Sequence, residues 1–321
     1  MNDNSKVNCI NISYLFKTSL GSINGSFTEG NVSTVKKITL PDGHTLPYIS
    51  GQSLRHQLRK KMEENGVKLS PLTATDVEKG VDVTAGDPEQ FIDDDLFGFM
   101  IASQKENRRR TAPVRVSASV GMFPFRGDRD LGTKSKEETA GEMGAGGNMF
   151  ETEIYYNYFR TSILIEVDRV GSFKTFELKK VEKKPAVPKT LDKSERIRRL
   201  STFFEAMTTL WGGGKQSRIL TDLGPKFIIT TVQRTKSPLF LEGFKLSHDE
   251  SLDVEPILEI LNDNTKIIKN VFVGLRSGIF KNESEIKAEL SDFSINGANI
   301  QVLPVNDSVE KVRGLLPTLE F

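Results

Sequence analysis

Cysteine is nearly missing from this 321-residue chain, in which Cys9 stands alone. A lone thiol closes no internal disulfide, so the fold is not a small cross-linked scaffold of the secreted kind. Histidine is almost as scarce: His44, His56 and His248 lie far apart, and no spacing resembles a zinc site or a Cys–His nucleophile. No segment approaches the roughly 20 apolar residues that a membrane span requires. The N-terminus, MNDNSKVNCINISYLF, lacks the basic start and long apolar run of a secretory signal. The expectation is a soluble, cytoplasmic protein with no membrane partner. An excess of either charge is also lacking, with 44 Lys plus Arg against 43 Asp plus Glu. That balance excludes coating of nucleic acid by bulk attraction, and 37% hydrophobic residues exclude a disordered chain.

The charges that are present are segregated. Residues 179–199 hold nine basic and three acidic residues, whereas residues 242–263 hold seven acidic residues and one lysine. Separated patches suit focused anion binding or head-to-tail self-association, although two solvated surfaces account for the same pattern.

Along the chain, Ile, Val, Tyr and Phe fill residues 7–16 and predict a buried strand. Residues 20–30 read as a Gly- and Ser-rich loop. After Ser50-Gly51-Gln52-Ser53, Leu54, Leu58 and Met62 recur every four residues. They predict an amphipathic helix with Arg55 and Arg59 on another face, ended by Asn65-Gly66. Residues 70–106 mix turn signals with acids and read as an inserted subdomain. Residues 114–120 alternate as a strand. The run at 126–148, RGDRDLGTKSKEETAGEMGAGGN, is too polar to fold back into a core. Flanked by strands, it reads as an extended hairpin projecting from the body. Ile197, Leu200, Phe203, Phe204, Met207, Leu210 and Trp211 predict a second helix, stopped by Gly212-Gly213-Gly214. A strand at 227–232, a helix at 257–268 and a strand at 271–275 follow. The class is α+β, with an order that fits a ferredoxin-like βαββαβ core carrying insertions.

Few residues invite chemistry. Asp93-Asp94-Asp95 suggests magnesium, yet three adjacent carboxylates cannot all face one ion, and a solvated helix start is the expectation. Asp42, in Pro41-Asp42-Gly43, reads as a turn residue. The loop GGGKQS at 212–217 is not the phosphate loop of an NTPase. Thr209 stands where that pattern needs glycine, Gln216 where it needs Ser or Thr, and a helix precedes it instead of a strand. What remains is a loop of exposed amides beside Lys215 and Arg218, open to a phosphate, or else a plain glycine cap. Ser50 to Arg55 is a better anion site. Ser50 or Ser53 caps the helix, its positive end faces outward, and Arg55 and Arg59 extend the charge, unless they form an ordinary solvated face. Arg108, Arg109, Arg110 and Arg115 place four planar forks in eight residues, suited to phosphate or to a charged surface turn. So many basic sites favour a polyanion, RNA or single-stranded DNA.

Taken in order, ISGQSLRHQLR, DDDLFGFM, RRTAPVRVS, MFETEIYYNYFRTSI and WGGGKQSR resemble the DevR branch of the Cas-seven backbone family. These are the major RNA-binding subunits of type I CRISPR surveillance complexes (Cascade), and the likeness is greatest to subtype I-B. The resemblance spans residues 7–232. It implies a modified RRM-like palm (residues 1–69, 108–125 and 151–321), a helical fingers insertion (70–107) and a β-hairpin thumb (126–150). It also implies that Gln52, Ser53, Arg55 and Arg59 bind guide RNA on the first helix, and that Gly214, Lys215, Gln216 and Arg218 form a phosphate-facing loop. Met143, Met149 and Phe150 would supply the thumb's wedge. The implied partners are guide RNA, target DNA through the guide, further copies head to tail and other Cascade subunits. No cofactor, metal or catalysis is implied. The KGFGFV-type strand on which ordinary RRM proteins stack bases is missing, so the expectation is backbone binding without base readout. Two alternatives stay open: a type III-like subunit that cleaves target RNA with a loop aspartate, for which Asp42 is the candidate, and a sugar- or nucleotide-processing enzyme, which would need a polar catalytic cluster that the sequence does not show.

Overall fold

The computed structural model describes residues 9–76, 81–102, 107–134, 148–179, 186–214, 216 and 218–321. The first part of the chain forms β1 (Cys9–Gly21), β2 (Gly25–Glu29), β3 (Val32–Val35), β4 (Lys37–Thr39), β5 (Thr45–Ile49) and α1 (Gly51–Glu64). Next come β6 (Leu72–Asp76), β7 (Val81–Thr84), α2 (Ile92–Phe97), β8 (Phe99–Ala102), β9 (Asn107–Arg110), β10 (Val114–Val116) and β11 (Ser119–Gly121). Two longer strands, β12 (Asp128–Lys134) and β13 (Asn148–Glu166), precede β14 (Ser172–Phe173), β15 (Lys189–Thr190) and α3 (Lys193–Thr208). The remainder holds β16 (Phe227–Gln233), β17 (Lys245–Leu246), β18 (Leu252–Asp253), α4 (Glu255–Asp263), β19 (Ile268–Leu275) and α5 (Glu283–Asp292). Short strands β20 (Ser294–Ile295), β21 (Ala298–Asn299) and β22 (Val302–Leu303) lead to α6 (Val305–Leu315).

β1 and β13 form the centre, antiparallel from Cys9 opposite Glu166 to Gly21 opposite Tyr155. Both are dense in β-branched and aromatic residues, which suit a pleated surface covered on its two faces. β16 joins the other side of β1, and β19 joins β16. β10 and β11 pair with the far side of β13. Strand alternation divides the side chains between two cores. Ile10, Ile12, Tyr14 and Phe16 face Leu54, Leu58 and Met62 of α1, with Leu200, Phe203 and Met207 of α3 and Val305, Val309 and Val312 of α6. Leu15, Phe227 and Ile229 face the opposite way, onto Phe240, Phe244, Ile257, Leu261, Ile286 and Leu290. A polar seam crosses that second face: the Asn11 amide donates to Ser162 Oγ at 3.0 Å, and the Ser13 and Ser162 hydroxyls are 2.8 Å apart, all buried. Burial pushes the Cys9 thiol up to about 11, so it stays protonated and unreactive at neutral pH.

Several expectations change. Residues 20–30 are not a loop, because β1 runs on to Gly21 and β2 pairs with β3. β3 in turn lies parallel to β13, with Val32 opposite Glu151, so the support for these weak strand formers is non-local. The strand expected at 114–120 is broken into β10 and β11. The fingers segment is not helical: its described residues form the hairpins β6–β7 and β8–β9 and one short helix. That helix also belongs to the body, since Ile92, Leu96 and Phe97 enter the first core. Asp93, Asp94 and Asp95 are buried, not solvated. Their carboxylates point to different partners: Asp93 accepts from the Ser70 amide (2.9 Å), Asp94 from the Asp87 amide (2.8 Å) and Asp95 from the Gly171 amide (2.9 Å). α3 ends at Thr208, and Trp211 lies beyond it in an isolated bridge with Asp222. Among the described residues of the basic stretch, Lys179 pairs with Asp87, Lys189 with Glu89, and Arg198 and Arg199 with Glu195. Asp42 is the expected turn residue, its carboxylate accepting from the His44 amide at 3.0 Å. Among the described residues, no helix is long and apolar enough to cross a membrane.

Candidate nucleic-acid interface

α1 begins as its sequence predicts. The Ser50 hydroxyl accepts from the Ser53 amide at 3.2 Å, capping the helix. Gly51 is required by packing: a Cβ there would lie 2.2 Å from the Val116 carbonyl oxygen of β10. The first turn holds no acidic side chain to offset the positive end of the helix. Gln52 is exposed and Ser53 half-buried. Arg55 and Arg59 share a face, and that face turns toward α2. Arg55 Nη1 donates to the Phe97 carbonyl at 3.3 Å, while Arg55 Nε has no acceptor among the described residues. Burial, then repulsion from Arg59, holds the Arg55 guanidinium below the usual arginine range. His56 is lowered likewise, by burial and then by Lys60 and Arg59. This is a surface of crowded cations that an anion would relieve.

The glycine loop docks against this helix. A Cβ at Gly212 would lie 2.3 Å from Gln57 Oε1, and one at Gly213 would lie 2.9 Å from Ile23 Cγ1. Gly213 also has φ +110, open to glycine alone. The Gly214 amide donates to Ser22 O (3.0 Å) and the Gly212 amide to Thr221 O (3.0 Å). The turn between β1 and β2 completes the junction: Asn24, at φ +56, accepts from the Ser50 amide at 2.7 Å. One turn therefore ties the glycine loop to the capped end of α1. Asn24-Gly25 is a hairpin signal legible in the sequence, and its role here was not foreseen.

The arm rises beside the loop. β12 pairs with the first part of β13 from Asp128 opposite Ile154 to Lys134 opposite Asn148. Arg218 reaches the arm, 2.9 Å from Asp130 Oδ2 and 5.2 Å from the centre of the Phe150 ring. Phe150 lies over Gly132, where a Cβ would be 2.3 Å from Phe150 Cζ.

The profile of the CRISPR-associated negative auto-regulator DevR/Csa2 family matches residues 12–250, well over half of the chain. The chain belongs to the DevR/Csa2 family. A CRISPR-associated protein Cas7/Cst2/DevR of Myxococcus xanthus (strain DK1622) is 27% identical over 168 residues, which cover 47% of this chain and 55% of that protein. The chain thus spans about half the length of the curated relative it matches. A chain of a CRISPR RNA-guided surveillance complex in a pre-nicking state aligns over 96% of this chain and 99% of its own, with a TM-score of 0.57 and 12% identity. That match shows a shared mixed α+β fold. A second surveillance-complex chain covers 80% of this chain and 82% of its own, at TM-score 0.48 and 16% identity.

In this DevR/Csa2 chain, Gln52, Ser53, Arg55 and Arg59 lie on α1, against which the glycine loop docks, whereas Gly214 bonds to Ser22 and Arg218 reaches the arm; Gln216 is half-buried. Lys215 and Met143 lie outside the described residues. The expectation of free loop amides fails at Gly212 and Gly214, which bond internally. Arg218 serves the arm, and Phe150 packs within it, which leaves Met149, 61% exposed, as the outward wedge candidate. The arginine cluster divides. Arg108 and Arg110 are buried and do not meet solvent. Arg110 pairs with Asp95 at 2.5 Å and Glu177 at 3.0 Å, and Arg108 donates to the Gly86 carbonyl. These two are corrected from phosphate ligands to internal ions. Arg109 and Arg115 stay outside, away from α1.

Arg59 carries two duties, and a pair of variants separates them. Its Nε is 3.3 Å from Asp93 Oδ2, a carboxylate only 2% exposed. Arg59→Ala should destabilise the fold by about 1–3 kcal/mol by leaving that buried carboxylate without its counter-charge, whereas Arg55→Ala should leave stability nearly unchanged. Both should weaken RNA binding. Burial, opposed in part by the Ser70 amide and Arg59, holds the Asp93 carboxyl above the ordinary carboxylate range. A raised folded pKa favours folding below the unfolded value, and that contribution is lost as pH rises through the folded one. The Arg59→Ala deficit should therefore shrink on acidification relative to the parent. Urea unfolding across pH, beside RNA titration, checks this. Equal stability of the two variants would refute it.

Proposed function

We propose that this chain is a guide-RNA-binding backbone subunit of a type I CRISPR surveillance complex, closest in kind to subtype I-B. The observation that carries the reading is the acid-free start of α1, crowded with Arg55, His56 and Arg59 and locked to the glycine loop at the root of the arm. Family membership supports it. So does the strand order β16-β1-β13 followed by β10 and β11, with α1 and α3 on one face, which is the order of a ferredoxin-like, RRM-like palm. The sheet face on which an ordinary RRM stacks bases is covered here by the second core. Bases cannot lie there, so the guide is held by its sugar-phosphate backbone whatever its sequence. In this reading the β12–β13 hairpin is the thumb, and copies stack head to tail along the guide. The guide pairs with target DNA, and other subunits complete the complex in the cytoplasm. The role is binding, not catalysis.

Copurification of a discrete, guide-length RNA tests the assignment directly. Affinity for unrelated guides should be similar and should fall about 20- to 50-fold between about 50 and 200 mM salt, the response of three or four backbone contacts. Strong preference for one sequence with flat salt dependence would overturn it. Regular cleavage of labelled RNA with Mg²⁺ would replace it with the type III-like reading and Asp42.

A further inference from the structure

The remaining arginines of the cluster converge on a second site. β10 turns Val114 and Val116 into the core beneath α1, so strand alternation sends Arg115 to the opposite face of the sheet. There Arg109, Arg115, Arg169 and Lys174 line a cavity of about 490 Å³ with Phe176 and Glu177. Two features are not those of packing. Phe176 is 54% exposed, and Met100, the residue opposite Arg109 in the β8–β9 ladder, is 65% exposed. Arg109 is itself exposed and has no acidic partner among the described residues. Charge in the cavity is only partly offset: Arg115 and Arg169 pair with Glu166, and Glu177 is buried against Arg110. The turn that carries the ring is braced from behind. Glu177 is clamped by Arg110 Nη1 at 3.0 Å, and its carboxylate accepts from the Lys174 amide at 2.7 Å, which closes the turn carrying Phe176.

An exposed aromatic ring on a braced turn, beside a planar guanidinium with no acidic partner among the described residues, matches one ligand chemistry, a base stacked on the ring with its phosphate on the fork. We propose that this cavity binds one nucleotide of a single-stranded nucleic acid other than the guide. An acidic peptide would use the cations but leave Phe176 without a partner.

The test uses the guide-loaded protein and fluorescein-labelled (dT)8 and (rU)8 that do not pair with the guide. Phe176→Ala should weaken octamer binding about tenfold, the size of one lost base stack, and Phe176→Trp should retain it. Arg109→Ala should lower the salt slope by about one. Guide retention should match the parent in all three variants. A response with (dT)8 assigns a DNA strand, and a response with (rU)8 alone assigns RNA. Unchanged binding by Phe176→Ala, or displacement of the octamer by polyglutamate as readily as by unlabelled octamer, overturns the proposal. A chain that carries no guide yet binds the octamer through Phe176 would overturn the proposed function and leave this inference standing.

Discussion

Replacing residues 131–147 with a short Gly–Ser linker should leave a chain that folds like the parent and still binds RNA weakly. Cooperative assembly on a long RNA, with its regular nuclease-protection pattern, should disappear. The fold survives because no described residue of the replaced segment enters either core. Leu131 is 60% exposed and Met149 61% exposed, and exposed segments of this kind tolerate removal. The root of the arm is retained. Asp128 still faces Ile154 in the ladder, and Asp130 keeps its bridge to Arg218. Assembly fails because a head-to-tail contact does not close on itself, so each copy must reach the next. The β12–β13 ladder carries seven residue pairs, which at roughly 3.3 Å per residue runs about 23 Å, with β3 flanking it at Glu151 and Thr152. Size analysis and footprinting on one long RNA check the outcome. Filaments of normal length and periodicity from the shortened chain would place the thumb elsewhere.

What the sequence revealed and what it hid divide along a physical line. The stripe Leu54, Leu58 and Met62, the cap at Ser50 and the stop at Asn65-Gly66 are local signals, and α1 forms where they predict. The arm was legible because a long polar run between strands has nowhere else to go. The arginine cluster was misread in part because its partners are remote: Arg110 meets Glu177 across 67 positions. Three consecutive aspartates look solvated until the chain folds the Ser70, Asp87 and Gly171 amides and the Arg59, Arg110 and Arg199 guanidinium groups onto them. Phe176 offered no signal at all, since an exposed ring differs from a buried one only in its surroundings. The stripe Val305, Val309 and Val312 did carry helical spacing, and α6 was legible there but went unread.

The largest loss of stability should come from Asp95→Ala. Asp95 is wholly buried, and it accepts from Arg110 Nη2 at 2.5 Å, Arg199 Nη1 at 2.8 Å and the Gly171 amide at 2.9 Å. Arg199 also donates to the Pro88 and Glu89 carbonyls, and Arg110 to that of Ser172. One carboxylate therefore joins α2, β9, the segment after β13 and α3. Alanine would leave two buried guanidinium groups without their shared counter-charge, at a cost of about 3–5 kcal/mol. That is a large share of the roughly 5–15 kcal/mol typical of a folded domain. Urea unfolding should show a lower midpoint at unchanged slope, and Asp95→Asn should fall between alanine and the parent. Because Arg110 also clamps Glu177, octamer binding at Phe176 should weaken in Asp95→Ala, while the α1 junction keeps its guide. Desolvation opposes the attraction in any buried ion network. The triple variant Asp95→Leu, Arg110→Met, Arg199→Leu removes all three charges together and should regain much of the stability lost by Asp95→Ala. It should not restore the Phe176 site, because no apolar side chain can hold Glu177 in place. An Asp95→Ala midpoint equal to the parent's would show that these ions are not what fastens α2 to the body.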